Sequence, residues 1–220
     1  MHLNSRLLFE RVALPYFQSG QRVLEIGPDD HPSTFQSIVD DDSIAWDTID
    51  IKQKHEVTYV ASSENSFPIA DETYDIVVSG NVIEHVRRPW VWLPELTRVC
   101  KVGGAVITIT PVSWPYHAVP VDCWRIYPDG MRALYEDSGL EVLLARWKSL
   151  EAEEFRSHLP GRSHPARYPP PRFEPWVQDA FRALGEAGFP VERAYDTIAI
   201  GRKREVDAAL GGTDQTAAIS

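Results

Sequence analysis

Cysteine is scarce in this chain, and long apolar runs are missing from it. The two cysteines, Cys100 and Cys123, have neither the spacing of a metal site nor the number that a disulfide framework needs. No apolar run approaches the roughly 18 residues of a membrane span. Arg6, Glu10 and Arg11 interrupt the first segment, which is therefore unlike a signal peptide. These absences predict a cytoplasmic protein with no membrane partner.

Basic residues are also in short supply: 22 lysines and arginines stand against 32 acidic residues, for a formal net charge of −10. This balance argues against a nucleic-acid partner, because phosphate contacts require a surplus of positive charge. A length of 220 residues suits one domain. We expect that domain over residues 1–204, with a Pro-, Arg- and His-rich insertion at about 151–190 and a disordered tail at 205–220.

Hydrophobic periodicity predicts strands and helices in alternation. The predicted strands are 23–26, 45–51, 57–61, 74–79, 105–110, 140–147 and 195–201. The predicted helices are 3–18, a short one within 29–40, 89–101, 129–138 and 176–187, with Gly103 and Gly104 ending the third. Apolar strands that alternate with helices are typical of an α/β fold with a doubly wound, mostly parallel sheet, here of seven strands.

The segment 21–30, Q-R-V-L-E-I-G-P-D-D, contains the strongest functional signal. Gly27 follows the short buried strand at the point where the chain must turn and where a ligand can approach the bare backbone. Glu25 puts a carboxylate inside that strand, which costs free energy unless the carboxylate has a partner. That partner is either a ligand with hydroxyl and ammonium groups or a salt bridge within an ordinary first strand.

Five motifs, taken in order, resemble those of the class I S-adenosylmethionine-dependent methyltransferases. They are V-L-E-I-G-P at 23–28, T-I-D-I at 48–51, S-F-P-I-A-D-E-T-Y-D-I-V at 66–77, N-V-I-E-H-V at 81–86 and L-T-R-V-C-K-V-G-G at 96–104. The resemblance covers roughly residues 20–148 and the last strand. It implies a Rossmann-like methyltransferase fold with S-adenosyl-L-methionine as the cofactor, bound at the carboxyl ends of the strands.

The resemblance also implies a set of cofactor-binding residues: Glu25, Gly27, Pro28, Asp50, Ile51, Ser63, Glu64, Ser79 and Asn81. Glu25 and Gly27 match the start of the family's first loop, which holds the methionine portion. Asp50 ends the second strand, where the family has an acid that accepts hydrogen bonds from both ribose hydroxyls; an aspartate that only caps a turn is the alternative. Ser63 stands where the family usually has an aspartate for the adenine amino group, with Glu64 as the adjacent candidate.

The first loop departs from the family pattern. It continues with Pro28, Asp29, Asp30, His31 and Pro32 instead of further glycines, so we expect a stiffer loop. A dinucleotide cofactor would need its pyrophosphate against glycine N–H groups, and Asp29 and Asp30 would repel it. The sulfonium and ammonium groups of S-adenosylmethionine suit an acidic loop, so the sequence disfavours an oxidoreductase.

Methyl transfer to a hydroxyl requires a group that removes the acceptor's proton, and histidine suits this role near neutral pH. His117, in the loop after the fifth strand, is the favoured base, with Asp122 orienting its ring. His85 is the second candidate and would face the cofactor. Alternatively, Glu84 and His85 cap the next helix and pack locally.

The aromatic loop 112–127 is the predicted acceptor site, and it loosely resembles a segment of methyltransferases found with surface-sugar biosynthesis. Trp114, Tyr116 and Trp124 offer stacking faces for a sugar or an aromatic ring. Arg125 could hold a phosphate or carboxylate; the alternative is a structured lid with Arg125 in a salt bridge. The insertion would form a cationic flap, a solvated linker or a dimer arm, and its histidines lack partner ligands for a metal.

The sequence thus predicts a methyltransferase that acts on a hydroxyl of a small molecule, such as a sugar, a sugar nucleotide or a secondary metabolite. The alternatives are an N-methyltransferase and a non-catalytic S-adenosylmethionine-binding protein. We expect a small-molecule acceptor and no resident metal, and the insertion allows a homodimer.

Overall fold

Helices and strands alternate along the chain in a computed structural model, which describes residues 1–53, 56–118, 120–150 and 194–205 and two short strands beyond 150. The helices are α1 (Leu3–Leu8), α2 (Thr34–Val39), α3 (Pro89–Val99) and α4 (Pro128–Asp137). The strands are β1 (Arg22–Ile26), β2 (Ala45–Asp50), β3 (Tyr59–Val60), β4 (Tyr74–Gly80), β5 (Cys100–Pro111), β6 (Leu140–Lys148), β7 (Arg156–Ser157), β8 (Ala166–Arg167) and β9 (Asp196–Lys203). Shorter helical turns cover Phe9–Ala13, Leu14–Tyr16 and Ile83–His85.

Seven of these strands form one sheet in the order β3–β2–β1–β4–β5–β9–β6. The pairs among β1, β2, β3, β4 and β5 are parallel. Strand β9 runs antiparallel to both of its neighbours, β5 and β6. The predicted doubly wound, mostly parallel, seven-stranded sheet is therefore confirmed.

Each face of the sheet has its own apolar core because neighbouring strand residues point to opposite sides. Leu24 and Val77 belong to one core, which contains Trp92 of α3 and Tyr135 of α4. Val23, Ile76 and Val78 belong to the other, beside Leu8 of α1 and Phe35 of α2. The strands are apolar on both faces for this reason, as expected for a sheet covered on both sides.

The predicted elements agree with the structure apart from their ends, with one informative exception. Gly103 and Gly104 do not end a helix: α3 ends at Val99, and β5 begins at Cys100 and runs through both glycines. Gly103 has φ +77°, and a Cβ on Gly104 would lie 2.7 Å from the carbonyl oxygen of Asp75. The glycines are required because β5 shifts its register against β4 here and passes close to its backbone.

The insertion falls largely outside the described residues, as do the predicted helix 176–187 and residues 206–220 of the tail. Within the insertion, β7 and β8 pair antiparallel as a separate two-stranded sheet. Among the described residues, no helix has the length and apolar character needed to cross a membrane. Cys100 is buried, Cys123 is exposed, and both are free thiols.

Candidate functional site

A cavity of about 280 Å³ opens at the carboxyl ends of β1, β2 and β4. Its wall is formed by residues from these strand ends and from the segments that follow them: Ile26, Gly27, Ile49, Asp50, Ile51, Lys52, Ala61, Glu64, Phe67, Asn81, Val82, His85, Val86, Trp92 and Pro120. The chain folds this way because parallel strands bring their carboxyl ends to one edge of the sheet, where open α/β folds bind ligands.

Gly27 turns the chain at the base of this cavity. Its φ is +67°, and its N–H donates to the carbonyl oxygen of Ile49 at 2.8 Å. A Cβ at this position would lie 2.7 Å from the side chain of Val82. Only glycine accommodates both the dihedral angle and this contact, and the bare backbone therefore forms part of the wall.

Asp50, Ile51 and Glu64 line the side of the cavity that follows β2. One carboxylate oxygen of Asp50 accepts a hydrogen bond from the N–H of Lys52 at 3.0 Å. The aspartate thus stabilises the turn after β2, as in the turn-capping alternative, and it also lines the cavity. Glu64 accepts a hydrogen bond from the N–H of Arg87 at 3.2 Å and remains part of the wall.

Four of the predicted cofactor-binding residues do not line this cavity. Glu25 is only 2 % exposed and accepts hydrogen bonds from the hydroxyl of Ser33 and from Trp46 Nε1. Burial raises its pKa to about 7, although both hydrogen bonds favour the carboxylate. The partner that a carboxylate in β1 requires is therefore supplied by the protein itself.

The other three lie around the cavity rather than in its wall. Pro28 lines a neighbouring cleft of about 700 Å³ together with Asp29, Asp30 and His31. Ser63 is exposed, and Ser79 is 1 % exposed within β4. The periodicity of a strand predicts that a residue is buried, but the wall of a cavity depends on the segments that leave the strand ends.

Asn81 connects the cavity to the N-terminal helix. It has φ +57°, and its N–H donates to the carbonyl oxygen of Ile109 at 2.8 Å. Its side-chain Nδ2 donates to Ser5 Oγ at 3.2 Å. Ser5 in turn donates to Asp196 Oδ2 at 2.9 Å. Helix α1 therefore holds the end of β4 and the beginning of β9 together beside the cavity.

His85 lines the cavity, and the preceding residue Glu84 lies behind its wall. Glu84 is fully buried in the short helical turn after β4, and one of its carboxylate oxygens accepts a hydrogen bond from Thr110 Oγ1 at 3.2 Å. Burial raises its pKa to about 8. Its backbone oxygen accepts hydrogen bonds from the N–H groups of Cys123 and Trp124, at 2.7 and 3.2 Å. The turn therefore anchors the loop 112–127.

His117 packs against His85, with 5.0 Å between the ring centroids and an angle of 79° between the rings. Asp122 lies beside it: its Oδ2 accepts a hydrogen bond from the His117 N–H at 2.8 Å and lies 3.4 Å from His117 Nδ1. Burial lowers the pKa of His117 in spite of this carboxylate. The imidazole is consequently neutral near pH 7, with Asp122 placed to orient it.

The predicted acceptor-binding residues are held by other contacts. Arg125 forms a bidentate ion pair with Asp122, at 2.5 and 2.7 Å, and this pairing lowers the pKa of Asp122 to about 2. Trp114 stacks on His2 with 3.6 Å between the centroids. Trp124 donates from Nε1 to the carbonyl oxygen of Val86 at 2.9 Å, and Tyr116 is 77 % exposed. The loop is thus a structured lid with Arg125 in a salt bridge, and Pro120 is its contribution to the cavity wall.

Sequence reasoning missed two groups of residues at the site. Phe67 and Trp92 give the cavity an apolar wall, and neither was a candidate, because an apolar residue in a sequence indicates burial rather than a binding site. Glu84 and His2 were not candidates either. A carboxylate beside a histidine after a buried strand is a usable signal for Glu84, whereas the contact between His2 and Trp114 joins residues far apart in the sequence and has no local signal.

Comparison with known proteins agrees with this geometry. Residues 39–108 match the family model of a methyltransferase domain. An uncharacterized methyltransferase of Mycobacterium bovis is 47 % identical over 49 residues, which are 22 % of this chain and 19 % of that protein. The chain thus aligns with about a fifth of that relative's length.

Solved structures share the fold at low sequence identity. A putative methyltransferase of Bacillus halodurans superposes with a TM-score of 0.59 and 13 % identity, over 92 % of this chain and all of that one. Phosphoethanolamine N-methyltransferase 2 of Haemonchus contortus, solved with phosphomonomethylethanolamine and S-adenosylhomocysteine, gives a TM-score of 0.57 and 12 % identity over 92 % of this chain and 53 % of that one. The strand order and the strand-end cavity therefore agree with the match to the methyltransferase-domain family at residues 39–108, and the solved methyltransferase structures share the fold of this chain.

Proposed function

We propose that this protein transfers a methyl group from S-adenosylmethionine to a hydroxyl of a small molecule, such as a sugar, a sugar nucleotide or a secondary metabolite. One observation carries the proposal. One cavity is lined by Gly27, Asp50 and His85, and His117 packs against His85 just outside the wall. Groups suited to a nucleoside and a group suited to proton transfer therefore face the same space.

The cavity residues fit the cofactor. Its volume of about 280 Å³ is near the lower end of the range for small-molecule sites. Phe67 and Trp92 supply an apolar wall for a base, and Asp50 stands at the end of β2 with a carboxylate that can accept two hydroxyl hydrogen bonds. Gly27 lets the ligand approach the backbone where any side chain would clash.

The cofactor, when bound, supplies a methyl group already activated by the sulfonium, so the chain has to position the acceptor and receive its proton. In the metal-free protein, His117 has the properties required of the general base that receives this proton. Burial lowers its pKa, which keeps a lone pair available near neutral pH. Asp122, at 3.4 Å from Nδ1, orients the ring.

Two alternatives are supported by particular observations. Transfer to an amine is favoured by the fold likeness to an N-methyltransferase, and such an acceptor needs less help with its proton. Binding without catalysis is favoured by Ser63, which stands where the family usually has an aspartate and is exposed outside the cavity wall.

Calorimetry combined with a methyl-transfer assay tests the proposal. We expect S-adenosylmethionine to bind at one site, and Asp50→Ala to weaken this binding by about 1.5–3 kcal/mol, the range for hydrogen bonds to a charged group. Asp137→Ala, at the end of α4, is the control for loss of an acidic residue. Unchanged affinity in folded Asp50→Ala would remove this residue from the cofactor site.

Turnover is the second measurement, with pooled hydroxyl and amine compounds as acceptors. His117→Ala should lower kcat by about 10²–10⁴ while cofactor affinity stays nearly constant. Full turnover in His117→Ala would exclude it as the base. Tight cofactor binding without transfer to any acceptor would favour the non-catalytic alternative.

A further inference from the structure

Three potential metal ligands converge at the His85 end of the cavity. Glu84, His85 and His117 each offer one ligand atom, and these atoms all lie within 4.8 Å of one another. The three groups are shielded from solvent: Glu84 is fully buried, and the side chains of His85 and His117 are 17 % and 11 % exposed. His85 lines the cavity, so a group bound by this cluster would face the proposed acceptor space.

Only one of the two carboxylate oxygens of Glu84 has a hydrogen-bond donor within the described part of the chain. Its Oε2 accepts the hydrogen bond from Thr110, whereas its buried Oε1 has no hydrogen-bond partner among the described residues. The Oε1 atom is 3.9 Å from His85 Nε2. A buried carboxylate oxygen without a donor costs free energy, and a cation at this position would remove that cost.

Both histidines have an oxygen acceptor close to Nδ1. Nδ1 of His85 lies 2.5 Å from the carbonyl oxygen of Val121. Nδ1 of His117 lies 3.3 Å from the carbonyl oxygen of Pro115 and 3.4 Å from Asp122 Oδ2. These acceptors favour the ring hydrogen on Nδ1 and leave the lone pair on Nε2 of each ring. Metal-binding histidines commonly have such a carbonyl or carboxylate partner behind them.

We propose that Glu84, His85 and His117 bind one divalent transition-metal ion beside the cavity, where His85 forms its wall. Two imidazoles and one carboxylate suit Zn²⁺, Mn²⁺ or Fe²⁺, whereas Mg²⁺ prefers oxygen ligands and water. With bonds of about 2.0–2.2 Å, ligand atoms around a tetrahedral ion lie about 3.4 Å apart. The three ligand atoms lie within 4.8 Å of one another, so rotation of the side chains would have to bring them closer around the ion.

The bound ion would keep a coordination position open toward the cavity, because Glu84, His85 and His117 supply three ligands. That position suits an acceptor hydroxyl, whose pKa falls on binding to the ion. His117 Nε2 is then a ligand, so the hydroxyl proton is lost to solvent instead of passing to this ring. This role rests on the proposed function, whereas the binding of the ion does not.

Titration of the full-length protein with metal salts tests the site without cofactor or acceptor. The protein is stripped with EDTA, freed of the chelator and titrated by calorimetry with Zn²⁺, Mn²⁺ and Mg²⁺. We expect one saturable site for Zn²⁺ and Mn²⁺, with Mg²⁺ at least about 100-fold weaker. Glu84→Gln and His117→Gln should each weaken Zn²⁺ binding by about 10–100-fold or more.

His31→Gln is the matched control. His31 is an exposed histidine that lies 2.9 Å from Glu56 beside the neighbouring cleft, and its replacement should leave Zn²⁺ affinity unchanged. The visible spectrum of the Co²⁺-loaded wild type gives a second readout that needs no variant, since imidazole and carboxylate ligands change it from that of aqueous Co²⁺.

Two results would overturn the proposal: no saturable Zn²⁺ or Mn²⁺ binding by the folded wild type, or equal Zn²⁺ affinity in the wild type and both ligand variants. Circular dichroism establishes that each variant is folded. Because the titration contains no cofactor, its outcome is independent of the proposed methyl transfer. Where transfer is detected, activity that survives EDTA contradicts the metal's role in it.

Discussion

Glu25 carries a carboxyl group whose ionisation is changed by folding. It lies in β1 and is 2 % exposed, with Ser33 and Trp46 as its hydrogen-bond donors. Ser33 is also the N-cap of α2, where it accepts a hydrogen bond from the N–H of Gln36 at 3.0 Å. The carboxyl group therefore links the first strand to the helix that follows it.

Replacement of Glu25 should change how stability depends on pH. The pKa is about 7 in the folded protein, against an ordinary value of 4.5. Between these values the folded state binds more protons than the unfolded state, so the free energy of unfolding falls as pH rises through this window. Glu25→Gln keeps the hydrogen-bond acceptor without the charge and should be more stable than the wild type above pH 7, by up to about 3 kcal/mol.

Urea unfolding of the two proteins at pH 5 and pH 8 measures this effect. The advantage of Glu25→Gln should be larger at pH 8 than at pH 5. Glu10→Gln, which removes an exposed ion pair with Arg6, should differ from the wild type by less than about 0.5 kcal/mol at both values. A constant difference between Glu25→Gln and the wild type would mean that Glu25 titrates alike in both states.

At the scale of elements, α3 holds the segment before β4 through a single guanidinium. Arg98 donates to the backbone oxygens of Phe67 and Ile69, to the carboxylate of Asp71 and to Glu95 within its own helix. Glu95 also accepts a hydrogen bond from the N–H of Phe67 at 2.6 Å. Since Phe67 lines the cavity, this network positions part of the proposed cofactor wall.

Arg98→Ala should therefore reduce the free energy of unfolding by about 1–3 kcal/mol, a range lowered for the partial exposure of these groups. Arg98→Lys should recover only part of that loss, because a lysine lacks the planar fork that reaches several acceptors. Arg132→Ala is the control, since Arg132 has one exposed ion pair with Asp129 at 4.0 Å and one hydrogen bond to the carbonyl oxygen of Ala145 at 3.1 Å, against the four acceptors of Arg98. Equal losses in Arg98→Ala and Arg132→Ala would contradict the assigned role of the network.

The predicted elements agree with the structure where one side-chain pattern extends over several residues. They are wrong where a contact between residues far apart in the sequence determines the backbone conformation. Asp50 was placed correctly at the end of β2 because an apolar run ends there. The glycines at 103 and 104 were misassigned, since the approach of Asp75 that requires them is a tertiary contact. The ion pair of Arg125 with Asp122, one of the two alternatives given for it, likewise depends on a loop conformation that has no periodicity.

At the scale of the whole molecule, Gly201 lets β9 pass beneath α4. A Cβ on Gly201 would lie 2.6 Å from the ring of Tyr135, which is fully buried and whose hydroxyl group contacts Thr108 Oγ1 at 2.9 Å. Gly201→Ala should lower the free energy of unfolding by about 1–3 kcal/mol through overpacking. Gly130→Ala, within α4 and with its nearest contact at 3.3 Å, should be neutral or stabilising by up to about 1 kcal/mol.

Thermal or urea unfolding distinguishes these two glycine variants. A stable Gly201→Ala protein would mean that Tyr135 moves aside without loss of packing.

The strand pattern predicted β9 as the last of seven strands, and the family resemblance implied the sheet that the structure confirms. The sequence of β9 does not predict its position between β5 and β6, because strands with antiparallel and with parallel neighbours require the same apolar residues.

The central position of β9 also has a consequence during synthesis on the ribosome. Strands β5 and β6 precede the 151–193 segment, yet β5 pairs with β9 from Ala105 to Pro111 and β6 pairs with β9 from Leu140 to Lys148. Until residue 203 has emerged, both strands expose unpaired backbone edges, which favour association with other chains. A premature stop or a proteolytic cut ahead of Asp196 should therefore yield an aggregating fragment rather than a smaller working domain.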